Sequence, residues 1–390
     1  MTAAHPIATH VAQFLHAHTE EVRGWFYHLH QNPELSNNEH RTTAFLAETL
    51  ETFGLTPVLL PGTGLYVDIG ENPVLAFRGD IDALPIVEAS GLPYAATNGA
   101  MHACGHDAHT AIVLTLACAL ANAHLPIGVR IIFQPAEEVM VGGAPMVIDA
   151  GALTGIEHIF AVHCEPTLPV GTIGTRVGAL TYASDTIDVS LFGAGGHTAR
   201  PHLTQDLVYA AASVVKDLPG IISRRVDPRS GTIVAFGSLH AGNAGNAIPA
   251  SAELKGTIRT GDESVWRGAG ELVSQAIDHL LTPLGVEYEL TYRVGVPPVV
   301  NDAWAVGLVE RSFNGNIVAA PQSSGGEDFA WYLQHVPGCL VRLGCWSGDG
   351  EAGELHKSNL VVAPETVDWG VNLCVGILSS YIAARDGALE

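Results

Sequence analysis

Short apolar runs bounded by turn residues alternate along the chain with stretches whose apolar positions recur every three to four residues. This is the pattern of an α/β domain. Helices are predicted over about 7–30 and 39–53, and strands over 74–77, 129–133 and 159–162. A buried helix follows His109, a further strand is predicted at 339–343, and a closing helix at 364–384. The middle of the chain changes character. A half-exposed strand at 186–192, a helix at 205–217, strands at 232–239 and 252–260, a helix at 263–281 and a strand at 286–294 follow one another. Their order, β-α-β-β-α-β, is that of a ferredoxin-like unit. Residues 184–294 are therefore expected to form a small α+β domain inserted into an α/β domain made of 1–183 and 295–390.

Hydrophobic residues make up 47% of the 390, ample for a large core, and only 15% are charged. The 18 Lys and Arg stand against 40 Asp and Glu, a formal net charge of −22. That balance offers no basic patch to nucleic acid or to an anionic membrane, so neither is expected as a partner. An anionic small molecule would need a local positive site. The 6 cysteines, Cys104, Cys118, Cys164, Cys339, Cys345 and Cys374, are scattered and make no disulfide framework. The first residues lack the basic flank and apolar core of a signal peptide. The longest apolar run, 111–121, is shorter than the roughly 20 residues that a membrane span needs. The cytoplasm is the expected compartment.

Three of the predicted strands run into polar residues that an apolar core does not need. Strand 74–77 leads into RGDIDALP with Asp80 and Asp82, strand 129–133 into QPAEE with Glu137 and Glu138, and strand 159–162 into His163. Ligands of open α/β sheets bind beyond the carboxyl ends of the strands. If these strands are parallel neighbours, the carboxylates and the imidazole share one rim, and like charges so crowded call for a cation. The segment MHACGHDAHT adds His102, Cys104, His106, Asp107 and His109 just ahead of the buried helix. A thiolate and an imidazole two residues apart on a glycine-containing loop can reach one metal ion, or one each of an adjacent pair. After the Pro135 turn the two glutamates diverge, so one can ligate a metal while the other takes a proton from an activated water.

In this order, RGDIDALP, MHACGHDAHT, FQPAEE, GGHTARPH, GNAIPA, GTIRT and GGEDF resemble the motifs of a family of metal-dependent amidohydrolases. The branch is that of hippurate hydrolases, N-acyl-amino-acid amidohydrolases and indole-acetyl-amino-acid hydrolases, related to the aminoacylase and carboxypeptidase metallopeptidases. The resemblance runs from about Glu21 to the C-terminal helix. It implies a two-metal catalytic α/β sandwich domain with an inserted ferredoxin-like lid that makes a homodimer contact. It makes Cys104, His106, Glu138, His163 and His356 the metal ligands, Cys104 bridging two divalent ions. Zn2+ or Mn2+ is the expected metal, with Co2+ or Ni2+ as alternatives. Glu137 matches the general base, and Asp82 an acid behind the metal site that orients a ligand. In the lid, His197 matches a residue that stabilises the tetrahedral oxyanion, while Asn246 and Arg259 match residues that hold the substrate carboxylate. The implied reaction is hydrolysis of an N-acyl or N-aroyl amino acid to a carboxylic acid and a free amino acid. A carboxypeptidase or dipeptidase with the same site is the nearest alternative. The metal ions and Arg259 would outweigh the negative bulk field, which screening confines to about 8–10 Å.

Other motif residues receive blander readings. Glu327 and Asp328 of SSGGEDF are expected to cap a helix starting near Phe329, and His30 of LHQNPEL to be structural. LHKSNL around His356 departs from the family's small residue followed by proline, and Cys164 sets an extra thiol beside His163. Two different classes compete with the metallohydrolase. Cys104 as a thiol nucleophile, with His106 or His109 as its base, leaves Glu138, His163 and His356 without a role. A binding protein with a structural metal needs a closed four-ligand site, whereas here the candidate ligands exceed four.

Overall fold

The computed structural model describes residues 6–387, so the outermost residues of the expected α/β domain, 1–5 and 388–390, lie outside the described residues. The strands in chain order are β1 (Val58–Leu59), β2 (Leu65–Ile69), β3 (Pro73–Asp80), β4 (Gly128–Gln134), β5 (His158–Pro169) and β6 (Thr172–Thr175). Then come β7 (Gly178–Ala179), β8 (Ala183–Phe192), β9 (Gly196–His197), β10 (Ile233–Ala241), β11 (Ala247–Ile248), β12 (Ser251–Thr260) and β13 (Glu287–Val296). The last are β14 (Val300–Asn301), β15 (Asn316–Ala319) and β16 (Gly338–Trp346). The chain divides into two compact units. The larger comprises Met1–Gly178, Val300–Pro321 and Asp328–Glu390, the smaller Ala179–Val299 with Gln322–Glu327.

The larger unit is a mixed α/β structure on an eight-stranded sheet of order β1-β2-β4-β3-β5-β16-β6-β15. β3 runs parallel to both β4 and β5, and β5 parallel to β16. β4 is buried at every position, as befits a strand covered on both faces. The helix His106–Leu120 is buried along its whole length, which is why its sequence is apolar all round. The helix Glu365–Arg385 packs against it. By length and apolarity alone that closing helix could cross a membrane, yet 56% of its apolar window is buried inside the fold. The single helix predicted over 7–30 is two, Pro6–Ala17 and Thr19–Gln31. The break falls at His18, whose backbone leaves the helical region (φ −114°, ψ 21°) while its ring stacks on Phe14. Thr19 Oγ1 bonds back to the Leu15 carbonyl at 2.8 Å, a side-chain competitor that bends helices.

The smaller unit is a four-stranded antiparallel sheet of order β10-β12-β8-β13 with the helices Leu207–Ile222 and Glu263–Leu281. Counted within the unit, this is the order 2-3-1-4 that a ferredoxin-like β-α-β-β-α-β chain adopts. Its own core joins Val189, Leu191 and Leu254 to Leu207, Val214 and Ile277 from the two helices. A two-stranded ribbon of β9 and β11 completes it.

Candidate metal centre

The order β4-β3-β5 puts the carboxyl ends of three parallel strands side by side. Asp80 closes β3 with Asp82 two residues on, the Glu137–Glu138 loop follows β4, and His163 lies within β5. The loop carrying Cys104 enters the helix His106–Leu120 at Gly105, which has φ +84°. A Cβ on Gly105 would lie 2.8 Å from Cys164 Sγ, so only glycine lets this loop settle onto β5. Cys164, the extra thiol, is thus spent on packing.

The side chains assemble into two donor groups that share one thiol. Cys104, His106 and His163 form the first, all buried, and Cys104, Glu138 and His356 the second. Glu137 joins His106 and Glu138 in a third. The imidazole tautomers follow from their partners. His106 Nδ1 lies 3.0 Å from the Asp82 carbonyl and 3.2 Å from its carboxylate, so Nδ1–H donates and the Nε2 lone pair faces the site. Around that Nε2 stand Asp80 at 3.6 Å, Glu138 at 3.8 Å and Glu137 at 4.0 Å. His163 Nδ1 donates to the Cys164 carbonyl at 2.8 Å, leaving its Nε2 3.6 Å from Cys104 Sγ.

These donors fit divalent metal ions. His106 Nε2 and Glu138 Oε1 are buried with no hydrogen-bond partner, an unfavourable state that a shared cation relieves. Burial pushes the Cys104 thiol well up against the pull of His106, and burial likewise raises Glu138. A positive neighbour favours the ionised form of each. Burial disfavours a charged His106, but Asp80 and the Asp82 hydrogen bond outweigh it and raise the ring's pKa well above the ordinary value. A thiolate, imidazoles and a carboxylate together are a donor set for borderline metals such as zinc.

A ring of buried groups holds the donors. Asp82 orients His106 through one oxygen and through the other accepts from Ser36 Oγ at 2.6 Å and the Glu138 N–H at 3.0 Å. Asp80 accepts from Arg78 Nη1 at 2.6 Å and from His109 Nδ1 at 2.7 Å. His109 Nε2 in turn accepts the Cys164 N–H at 2.8 Å, so both of its nitrogens are engaged and it is no ligand. His356 is the exposed member, with Nε2 3.5 Å from Glu138 Oε1. It sits at φ +62°, pinned by its N–H to the Ala103 carbonyl at 2.8 Å. A non-glycine residue there costs about 1–2 kcal/mol, and this is the backbone form that LHKSNL takes without the proline.

One expectation is corrected, one is met and two residues are added. Neither Glu327 nor Asp328 caps the helix Ala330–Leu333, which starts at Phe329 with no side-chain cap. Asp328 is instead 1% exposed and accepts from Arg78 Nη2 at 2.8 Å, Gln134 Nε2 at 2.7 Å and the Ala144 N–H at 3.0 Å. His30 is buried between Asp107 at 2.6 Å and Glu88 at 3.0 Å. Glu88 and the fully buried Glu39 carry no pattern in the sequence, because a lone acid in a polar stretch reads as solvated surface.

In the smaller unit, β9 and β11 set His197 opposite Ala247 and beside Asn246, whose carbonyl accepts the Thr198 N–H at 3.2 Å. His197 Nδ1 accepts the Ala199 N–H at 3.0 Å, so the neutral ring carries its proton on Nε2. Arg259 lies on β12 and gives one N–H to the Ser324 carbonyl at 2.9 Å. The ribbon thus unites two motifs, and Arg259 stands apart on the sheet.

The model of peptidase family M20/M25/M40 matches residues 76–380. A putative glutamate–cysteine ligase 2-3 of Rhodococcus jostii is 45% identical over 362 residues, 90% of this chain but only 46% of that protein. The chain therefore spans about half the length of that relative. An N-acetyl-L-cysteine deacetylase of Bacillus subtilis is 38% identical over 328 residues, 81% of this chain and 78% of the relative. Among solved structures, a Bacillus subtilis protein described as a dinuclear metal binding peptidase from the M20 family is similar, with a TM-score of 0.81 at 32% identity. That likeness covers 94% of this chain and 98% of the other.

Proposed function

The chain belongs to peptidase family M20/M25/M40 and is an enzyme of its metal-dependent amidohydrolase kind, and on that premise we propose that it hydrolyses N-acyl amino acids. The products are a carboxylic acid and a free amino acid. The observation that carries the reading is the pair of donor groups sharing Cys104, with Glu137 beside the orphaned His106 Nε2. Cys104, His106, Glu138, His163 and His356 would hold two divalent ions, Zn2+ or Mn2+ first, Co2+ or Ni2+ as alternatives. Once bound there, such ions polarise the amide carbonyl and make water a nucleophile at neutral pH.

The chain's own groups do the rest. Glu137 takes the proton from the attacking water and hands it to the leaving amine, one carboxylate serving as base and then acid. Asp82 keeps His106 in the tautomer whose Nε2 is free to ligate. His197 offers an Nε2–H to the developing oxyanion, and Arg259 and Asn246 hold the substrate carboxylate. Arg259 has donors to spare, since a guanidinium carries five and one is committed to Ser324. The smaller unit is the proposed homodimer contact, because Ile233 (55% exposed) and Leu239 (42% exposed) sit on its edge strand β10. The relative named for N-acetyl-L-cysteine makes that compound the first substrate to try.

The test is turnover of N-acetyl-L-cysteine, other N-acetyl and N-benzoyl amino acids and matching dipeptides, before and after chelation and with Zn2+ or Mn2+ restored separately. Cleavage of N-acyl amino acids that stops on chelation and returns with metal is the expected result. Higher kcat/KM on the dipeptides would reassign the enzyme as a peptidase. Activity untouched by chelation but lost on thiol alkylation would return Cys104 to the role of nucleophile.

A further inference from the structure

Glu137 has no fixed secondary structure beneath it. It rides on the segment 136–144, a loop that ends at the first residue of the helix Ala144–Asp149 and whose backbone enters the left-handed region at two non-glycine residues, Ala136 (φ +58°) and Val141 (φ +74°). Such conformations persist only where the surroundings enforce them. Three buried carboxylates receive backbone N–H groups of this loop: Glu39 Oε1 takes Ala136 N–H at 2.8 Å, Asp82 takes Glu138 N–H at 3.0 Å, and Asp328 takes Ala144 N–H at 3.0 Å. Glu39 is held from behind by Thr63 Oγ1 at 2.7 Å, and Asp328 by Arg78 and Gln134. The fit at Asp328 is close, for a Cβ on Gly142 would lie 2.1 Å from its Oδ2.

We propose that Glu39 and Asp328 are positioning residues that clamp the two ends of the 136–144 loop and thereby aim Glu137. The division of labour follows from the bonds. Asp82 pins Glu138 independently, so releasing Ala136 from Glu39 swings Glu137 while the metal ligand stays in place. Loss of the clamp therefore reduces kcat without reducing metal occupancy. Hydrogen-bond polarity separates the two clamps further. An amide at position 39 still accepts from Ala136, and the Thr63 hydroxyl can turn to accept from its NH2. An amide at position 328 would aim N–H groups at the donors of Arg78, Gln134 or Ala144.

The proposal rests on Glu137 as the base, so one arm of its test does not depend on turnover. In the full chain loaded with Zn2+ or Mn2+, Glu39→Ala should lower kcat on an N-acetyl amino acid at least about tenfold, with KM and metal per chain unchanged. Amide hydrogen exchange across 136–144 should quicken in the same variant. Glu39→Gln should stay within about threefold of the parent on both readouts, and Asp328→Asn should behave like Glu39→Ala. Parental kcat and exchange in Glu39→Ala would overturn the proposal. So would a loss of kcat in the folded variant matched by an equal loss of metal, which marks a merely structural role. Should Glu39→Ala not fold, Thr63→Val decides: faster exchange in the loop supports the clamp, and parental exchange refutes it. A parent inactive on every N-acyl amino acid would refute the reading of Glu137, while the exchange arm would still decide whether the clamp exists.

Discussion

His106 shows how one side chain meets two demands. Its Nδ1–H is taken by Asp82, which leaves Nε2 facing three carboxylates, where a metal cation can take the place of the proton that Asp80 favours there. Removing a donor should therefore cost metal: Cys104→Ser is expected to bind fewer than two ions per chain, as elemental analysis after dialysis would show. Glu137→Gln should keep its metal and lose about 10²–10⁴ in kcat, measured beside metal content so that chemistry and occupancy are separated. His30 offers a test at the same scale. Burial lowers its pKa, but hydrogen bonds and charge from Asp107 and then Glu88 raise it from 6.5 to about 9, with Tyr94 packed on the ring. A raised folded pKa stabilises fully below 6.5 and is lost as pH climbs through about 9. Unfolding by urea from pH 6 to 10 should show that loss in the parent and a flatter curve in His30→Gln.

Among the elements, β3 carries more than its apolar pattern suggests. Arg78, 1% exposed in mid-sheet, binds Asp80 and Asp328 and so ties the end of β3 to the loop after β4. Arg78→Met would leave two buried carboxylates without their cation and should destabilise the fold by about 3–5 kcal/mol in denaturant titration. Activity should fall with it. The strands legible in the sequence were long and apolar, such as β4, buried at all seven positions. Besides β2, whose 5 residues alternate in burial, those that escaped prediction include short or wet strands: β1 has 2 residues, and all 4 of β15 are exposed. Nothing in the periodicity of β1 or β15 distinguishes them from loop, because their pairing partners, not their own side chains, make them strands. The break at His18 was hidden for a similar reason, since the apolar spacing runs on through it.

For the whole molecule, a net charge of −22 and a cluster of unneutralised donors point the same way. A metal that binds the folded site more tightly than the unfolded chain stabilises the fold, so saturation should raise Tm and chelation lower it. Calorimetry with and without chelator checks this. An equal Tm in both would mean that the donors do not hold an ion in the folded state. Light scattering at twice the chain mass, falling to one in Ile233→Lys, is the outcome expected of a dimer through the smaller unit.

The sequence by itself determined the α/β class and the ferredoxin-like strand order, and it supplied the candidate metal donors. Each of these depends on local facts: apolar period, strand length, and residues capable of ligation at fixed short spacing. Tertiary structure alone decided which of them meet. It withdrew His109 by engaging both its nitrogens and turned Asp328 from an expected cap into a buried clamp. It also recruited Glu39, which lies 97 residues from the Ala136 amide it receives. A buried carboxylate is stable only beside donors that the fold brings from distant segments, and no pattern along the chain announces where those donors will be.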